Sequence, residues 1–371
     1  MEATKTLSNE RVLSLDVMRG FIMIFLAAES AQVYESLHEI TAGGSGEVVV
    51  RQFFHHPWNG LRFWDLVQPA FMTMAGTALY ISFARKEQRG VSWGKNFRHI
   101  LVRCFRLLLC GVALHCVYAG KPVWELWNVL SQLAFTTLVA YLIIRQSSIV
   151  QFAVSILLLV LTEVLYRTIL VPGFDQPFVD QHNFGNYMDM VLMGKINKGG
   201  WVAINCIPTA AHTIWGCLIG KLLLTDMPAS KRIRMLIISG FAGLLIGYGM
   251  DWLNITPIIK RIATSSFVFA SAGWVLLIAA FTYWIVDVKK KNRLAWIPQV
   301  VGMNSIFIYL VFESSLGYQW VNTTIGIFSN GLAGALGTPE LWQHLFTAIV
   351  VLIFYWALCY WLYRRNIFFK L

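Results

Sequence analysis

Residues 264–287 read TSSFVFASAGWVLLIAAFTYWIVD, and the basic residues Lys289, Lys290, Lys291 and Arg293 follow at once. From Ser265 to Val286 no acidic or basic side chain interrupts the run. An unpartnered backbone N–H or C=O is costly in hydrocarbon, so a chain crosses a bilayer as a helix of roughly 20 apolar residues. This stretch has that length and that character. It predicts a transmembrane helix with a cationic foot.

Working outward, ten such stretches are legible, at 14–34, 58–84, 99–119, 126–145, 149–171, 201–224, 234–253, 264–287, 297–316 and 343–363. Of the 371 residues 57% are hydrophobic and 13% charged, where a soluble domain carries about a quarter charged residues. No room is left for a soluble domain, and no repeat, low-complexity tract or linker divides the chain. The expected fold is all-α, a single multi-pass domain over residues 1–371 with about ten helices in the lipid bilayer. The first stretch reads as a retained helix rather than a signal peptide, because a long polar segment precedes it and Asp16 and Arg19 interrupt it. The cysteines Cys104, Cys110, Cys116, Cys206, Cys217 and Cys359 fall in or beside apolar runs with neither metal-ligand nor disulfide spacing. They read as packing residues, and no metal is expected.

The net charge of +11 raises the question of nucleic acid, and the positions of the charges answer it. With both termini placed in the cytoplasm, 22 of the 30 Lys and Arg residues fall on the cytoplasmic side, including seven between Arg85 and Arg106. The other face keeps Arg51, Arg62, Lys121, Arg167, Lys195, Lys198, Lys260 and Arg261. Such a bias orients a membrane protein by itself, so nucleic acid is not needed to explain the charge. An anionic cytoplasmic ligand remains compatible with it. Trp124, Trp127, Trp201 and Trp320 suit either an interfacial belt or stacking on a sugar.

Ionisable groups within membrane helices need a partner or a purpose. Asp16 and Arg19, three apart, and Glu163 and Arg167, four apart, can each pair along one helix face. Glu29 and Ser30 lie at the far end of the first stretch, and Glu313 lies deep in the ninth. Gly216/Gly220 and Gly243/Gly247 have the spacing that lets helices approach closely. Asn205, Pro208, Thr209 and His212 form a polar stripe in the sixth stretch, with His212 more suited to a helix-to-helix hydrogen bond than to chemistry. The densest constellation is His55-His56-Pro57-Trp58-Asn59-Gly60, followed by Asp65. Pro57 suits the first position of a helix, which would set the histidines at its positive end and keep an imidazole neutral. A neutral imidazole can take a proton from an amine or hydroxyl; a solvated pair among headgroups is the alternative. A helix begun at Pro57 would carry Asp65 roughly 10 Å along its axis, beyond reach of His55.

The sequence resembles the heparan-α-glucosaminide N-acetyltransferase-like membrane proteins. The likeness rests on Ser14-Leu15-Asp16 with Arg19-Gly20, on His55-x-x-Trp58-Asn59-Gly60 with Asp65-Leu66-Val67, Pro69, Phe71 and Gly76, and on Gly302-Met303-Asn304-Ser305-Ile306. Tyr309, Glu313 and the closing Tyr363 to Phe368 extend it, so it covers essentially the whole chain. The resemblance implies an acetyl-CoA-dependent transferase that passes an acetyl group from the cytoplasm to a sugar or glycan acceptor on the far side of a membrane. For this chain a bacterial inner membrane is expected. It selects His55 over His56 as the reacting histidine, with Ser30, Asn59 and Asp65 as catalytic or positioning groups. Arg19, Arg98, Arg103, Arg106, Lys221, Arg234, Asn304 and Ser305 become candidates to hold the CoA. Animal members carry Asn, Arg and His where this chain has Ser30, Gln132 and Phe312, so an inactive relative is one alternative. A transporter or flippase is the other, which broken half-helices and internal two-fold symmetry would favour; the sequence displays neither. A homodimer is left open.

Overall fold

A computed structural model describes residues 12–314 and 316–369; the basic residues Lys5, Arg11 and Lys370 used in the charge argument lie outside them. The described chain is all-helical. Its α-helices are α1 (Leu13–Ser30), α2 (Val33–Thr41), α3 (Gly46–Val50), α4 (Val67–Gln88), α5 (Trp93–Ala119), α6 (Val129–Leu142), α7 (Ser148–Thr168) and α8 (Phe184–Met193). They continue with α9 (Cys206–Leu223), α10 (Ala229–Trp252), α11 (Ser265–Tyr283), α12 (Trp296–Met303), α13 (Ser305–Glu313), α14 (Asn322–Ala335) and α15 (Glu340–Arg364).

Among the described residues seven helices are long and apolar enough to cross a membrane, and up to eight if α12 and α13 are one span bent by 75°. Two of the ten sequence stretches fall short of that measure for identifiable reasons. The helix α1 carries Asp16, Arg19 and Glu29 within 18 residues, and α6 has only 14 residues, roughly 21 Å at 1.5 Å per residue. The break at Asn304 lies in a stretch that is apolar on both sides of it, and it corrects the expectation that no helix is broken. Asn304 is fully buried. Its side-chain amide donates to the Ile367 carbonyl at 3.0 Å and its oxygen accepts from Phe369 N at 3.0 Å. The bend is therefore clamped by the C-terminal segment.

The helices α4 and α9 form the buried centre, with 61% of the apolar window of each inside the protein. By contrast α5, α7, α10 and α15 have under a third of theirs inside and leave Phe105, Leu157, Phe241 and Ile353 exposed. Apolar surface turned outward over this length is what a bilayer covers. Small residues let the central pairs touch. A Cβ on Gly76 would lie 2.0 Å from Thr213 O, and one on Gly216 2.2 Å from Thr73 O, at the α4–α9 crossing. Gly20 and Gly302 meet in the same way where α1 crosses α12, and Gly243 and Gly247 serve α10 against α11. The start of α1 is capped from far along the chain: Leu13 N and Ser14 N donate to Asp287 at 3.0 and 3.1 Å.

Candidate active site

The segment from His55 to Arg62 is not helical. Gly60 has φ +141 and its N–H donates to Ile258 O at 2.8 Å, so the chain runs irregularly until the turn Phe63–Leu66 that leads into α4. Asp65 starts that turn by accepting from Arg62 N at 2.9 Å, the reciprocal cap of a helix entry. This corrects two expectations. The helix does not begin at Pro57, and Asp65 is within reach of His55: Asp65 Oδ1 lies 3.1 Å from His55 Nδ1. Asp65 is fully buried and also accepts from His56 N at 3.2 Å. Such donors are what a buried carboxylate requires.

A third charged group completes the arrangement. Lys260, 6% exposed, sets its ammonium 2.9 Å from His55 Nδ1 and 3.4 Å from Asp65 Oδ1. The Trp201 ring lies under that ammonium at 5.3 Å and edge-on to His55 at 5.7 Å. Burial, then the Lys260 charge, hold the His55 imidazole down to about 4. Its side chain is still 39% accessible, because His55 lines a cavity of about 300 Å³. Burial likewise brings Lys260 down to about 8, against the pull of Asp65 and Glu29. His55 is thus neutral at neutral pH. Since Nδ1 faces Asp65 and Lys260, Nε2 is the nitrogen left without a partner among the described residues.

The cavity beside His55 is also lined by Glu29, Gln68, Tyr118, Trp127, Gln132 and Glu313. Trp64 Nε1 donates to Glu29 at 3.1 Å, and Tyr118 OH to Glu313 at 2.6 Å. Gln68 donates to Gln132. His56 is absent from this lining. Its ring instead covers Gly60, where an added Cβ would meet Nε2 at 2.6 Å.

A second cavity, of about 1260 Å³, lies toward the opposite ends of α4 and α5. Arg19, Lys86, Lys95, Arg98, Arg103 and Arg106 line it, with Ser305 and the C-terminal Phe368 and Phe369. Phe71, Leu130 and Ile306 border both cavities, so the two adjoin through the helix bundle.

Of the residues singled out in the sequence, His55 and Asp65 come together, and so do Arg19, Arg98, Arg103, Arg106 and Ser305, with Asn304 clamping the wall behind them. Four stand apart. Lys221 and Arg234 line neither cavity. Asn59 is exposed and bridges to Ile259. Ser30 is buried with its hydroxyl donating to the Phe312 carbonyl at 3.0 Å, so two of the positions that differ from animal members touch each other. Sequence reasoning did not assign Lys260 to the site, and it left Trp201 between an interfacial belt and stacking on a sugar. A signal for Lys260 existed: it is one of the eight basic residues on the face the charge bias leaves poor in cations.

No family model matches the sequence. Heparan-α-glucosaminide N-acetyltransferase of Homo sapiens is 23% identical over 432 residues, an alignment covering 97% of this chain and 60% of that protein. The protein of the same name from Mus musculus is 24% identical over 443 residues, covering 99% of this chain and 62% of its own length. The chain thus spans about three-fifths of the length of the curated relatives it matches. The family that this membrane chain resembles, along nearly its whole length, is that of the heparan-α-glucosaminide N-acetyltransferases.

Proposed function

We propose that the protein is a membrane-bound acetyltransferase that takes acetyl-CoA into the basic cavity and delivers the acetyl group to a sugar amine or hydroxyl in the His55 cavity. The observation that carries this reading is the junction of the two cavities at Phe71, Leu130 and Ile306. A nucleotide with its phosphates suits the cations of the larger cavity, since Arg in particular grips phosphate through paired donors. The thin pantetheine arm suits the apolar junction. Trp64, Trp127, Trp201, Gln68 and Gln132 offer the aromatic faces and hydrogen-bonding groups that a sugar needs.

The chemistry follows from His55. With Asp65 holding a proton on Nδ1, Nε2 carries a lone pair. The acceptor heteroatom attacks the thioester carbonyl carbon while Nε2 takes its proton. Collapse of the tetrahedral intermediate breaks the C–S bond, and the departing thiolate recovers that proton as CoA–SH. The two-step route also balances: Nε2 attacks the carbonyl carbon, the C–S bond breaks and thiolate leaves; the acceptor then takes the acetyl group from Nε2, and the proton it gives up ends on the thiolate as CoA–SH.

The broken helix α12–α13 favours a second reading, transport of a polar solute, because interrupted helices line substrate paths in transporters. One experiment separates the two. Detergent-solubilised protein is heated with and without CoA, and its acetyl-CoA hydrolysis is followed without any acceptor. Saturation at a hundredfold over Kd stabilises by about 2.7 kcal/mol, so the expected result is a clear upward shift in Tm together with slow hydrolysis. No shift at millimolar CoA and no hydrolysis would overturn the acetyltransferase reading.

A further inference from the structure

Three groups meet at one nitrogen. His55 Nδ1 lies 3.1 Å from Asp65 Oδ1 and 2.9 Å from Lys260 Nζ, and Lys260 Nζ lies 3.4 Å from the same carboxylate oxygen. In a neutral imidazole Nδ1 is either an N–H donor or a lone-pair acceptor, never both. A carboxylate only accepts, so Asp65 demands Nδ1–H. An ammonium only donates, so Lys260 demands the lone pair. The two partners require opposite tautomers, and the tautomer decides what Nε2 can do. With the proton on Nδ1, Nε2 is a base. With the proton on Nε2, that atom has nothing to offer an incoming proton.

We propose that Lys260 is a positioning residue that gates His55: its ammonium on Nδ1 keeps the ring in the Nε2–H form, and its discharge lets Asp65 claim Nδ1–H and frees Nε2 to act. This rests on reading His55 as the reacting group of the cavity. The switch balances with water as the only co-reactant. The ammonium proton crosses the 2.9 Å contact to Nδ1 while the Nε2 proton leaves to water, so one proton departs and the imidazole stays neutral.

The surroundings of Lys260 make this switch accessible near physiological pH. Asp65 and Glu29 face the ammonium and favour it; Arg261 beside it and burial oppose it, and burial is the largest influence. His115, Tyr118 and Glu313 line the same cavity. The balance leaves Lys260 at about 8. The charged form prevails below that pH, so the gate is closed there and opens as pH rises through it.

The test is histidine-selective ¹⁵N NMR on the full chain in lipid nanodiscs, with the His55 signals assigned by their loss in His55→Asn. At pH 6.5 the wild-type ring should carry its proton on Nε2, and on raising the pH it should cross to Nδ1–H with a midpoint near 8, following Lys260. In Lys260→Met the proton should sit on Nδ1 throughout. In Lys260→Arg, whose guanidinium does not discharge, it should stay on Nε2. Acetyl transfer should follow suit. One unit below the midpoint the open fraction is about a tenth, so Lys260→Met should be about tenfold faster than wild type at pH 7 and lack the alkaline rise. Wild-type protein already carrying Nδ1–H at pH 6.5, or Lys260→Met slower than wild type at every pH, would overturn the proposal. The NMR arms stand even if no acceptor is ever acetylated, so failure of the gate and failure of the acetyltransferase reading are told apart.

Discussion

The two cavities are built on opposite principles. Around His55 every charge is answered: Asp65 by Lys260 and by the backbone N–H groups of His56 and Arg62, Glu29 by Trp64, Glu313 by Tyr118. In the larger cavity Arg98, Arg103 and Arg106 have no carboxylate within ion-pair distance among the described residues. A site with its charges mutually satisfied has fixed geometry, which proton transfer needs. A site with surplus cation attracts an anion, which binding needs. On the proposed reading, chemistry belongs to one end of the bundle and capture to the other.

The largest effect that can break this contrast is one of sidedness. If the ends face opposite compartments, single cysteines in a cysteine-free background should label from opposite sides with an impermeant reagent. Gly94, where an added Cβ meets nothing within 4 Å, reports the basic end, and exposed Asp175 reports the other. Equal labelling in intact cells would remove the through-membrane reading. Next in size, His55→Ala should cost acetyl transfer about 10²–10⁴-fold, the usual worth of a positioned base. His56→Ala should cost far less, because His56 lies outside the cavity lining. The reverse result would assign the chemistry to the wrong histidine.

At the other end the expected effect is smaller and of a different kind. Arg103→Glu should raise KM for acetyl-CoA by about tenfold, equivalent to about 1.4 kcal/mol, and change kcat little, as loss of uniform binding does. Raised salt should also raise KM, since the exposed charges of Arg98 and Arg106 are screened. A variant that lost kcat with KM unchanged would mean that the cations act on the reaction rather than on capture.

How much of this was legible depended on sequence distance. Arg98, Arg103 and Arg106 fall within one helix, so local pattern exposed that cluster. His55 and Asp65, ten residues apart, were both singled out, but their contact was missed because a helix was expected between them. Lys260 comes from 205 residues beyond His55, and no periodicity or motif reports a contact that only folding creates. The misplaced start of α4 has a local cause. Pro57 permits a helix start but does not compel one, and Gly60 with φ +141 excludes it. The decisive signal was Asp65 three residues after Arg62, a carboxylate placed to cap the turn. The break between α12 and α13 is marked by Gly302, Asn304 and Ser305 in a mostly apolar stretch, too little to distinguish a bend from a straight helix.

The smallest effect tests the scaffold that joins the two ends. Gly20, Gly76 and Gly302 belong to the motifs that carry the family resemblance, yet none of them lines either cavity. Each sits where a second helix passes: a Cβ would come within 1.8 Å of Pro298 O at Gly20, 2.0 Å of Thr213 O at Gly76 and 2.5 Å of Asp16 O at Gly302. Backbone atoms cannot swing aside as a side-chain tip can, so the helices must part. Overpacking of this kind costs about 1–3 kcal/mol. Gly76→Ala should therefore lower the Tm of the solubilised protein by several degrees, and Gly20→Ala and Gly302→Ala should do the same. Gly94→Ala is the control, since an exposed helical position with open space gains up to about 1 kcal/mol from the exchange. Acetyl transfer measured well below the new Tm should survive in all four. If instead Gly76→Ala lost activity while keeping its Tm, the glycine would be serving the apolar junction next to Phe71 rather than the α4–α9 crossing. The division of the molecule into two sites and an inert scaffold between them would then have to be redrawn.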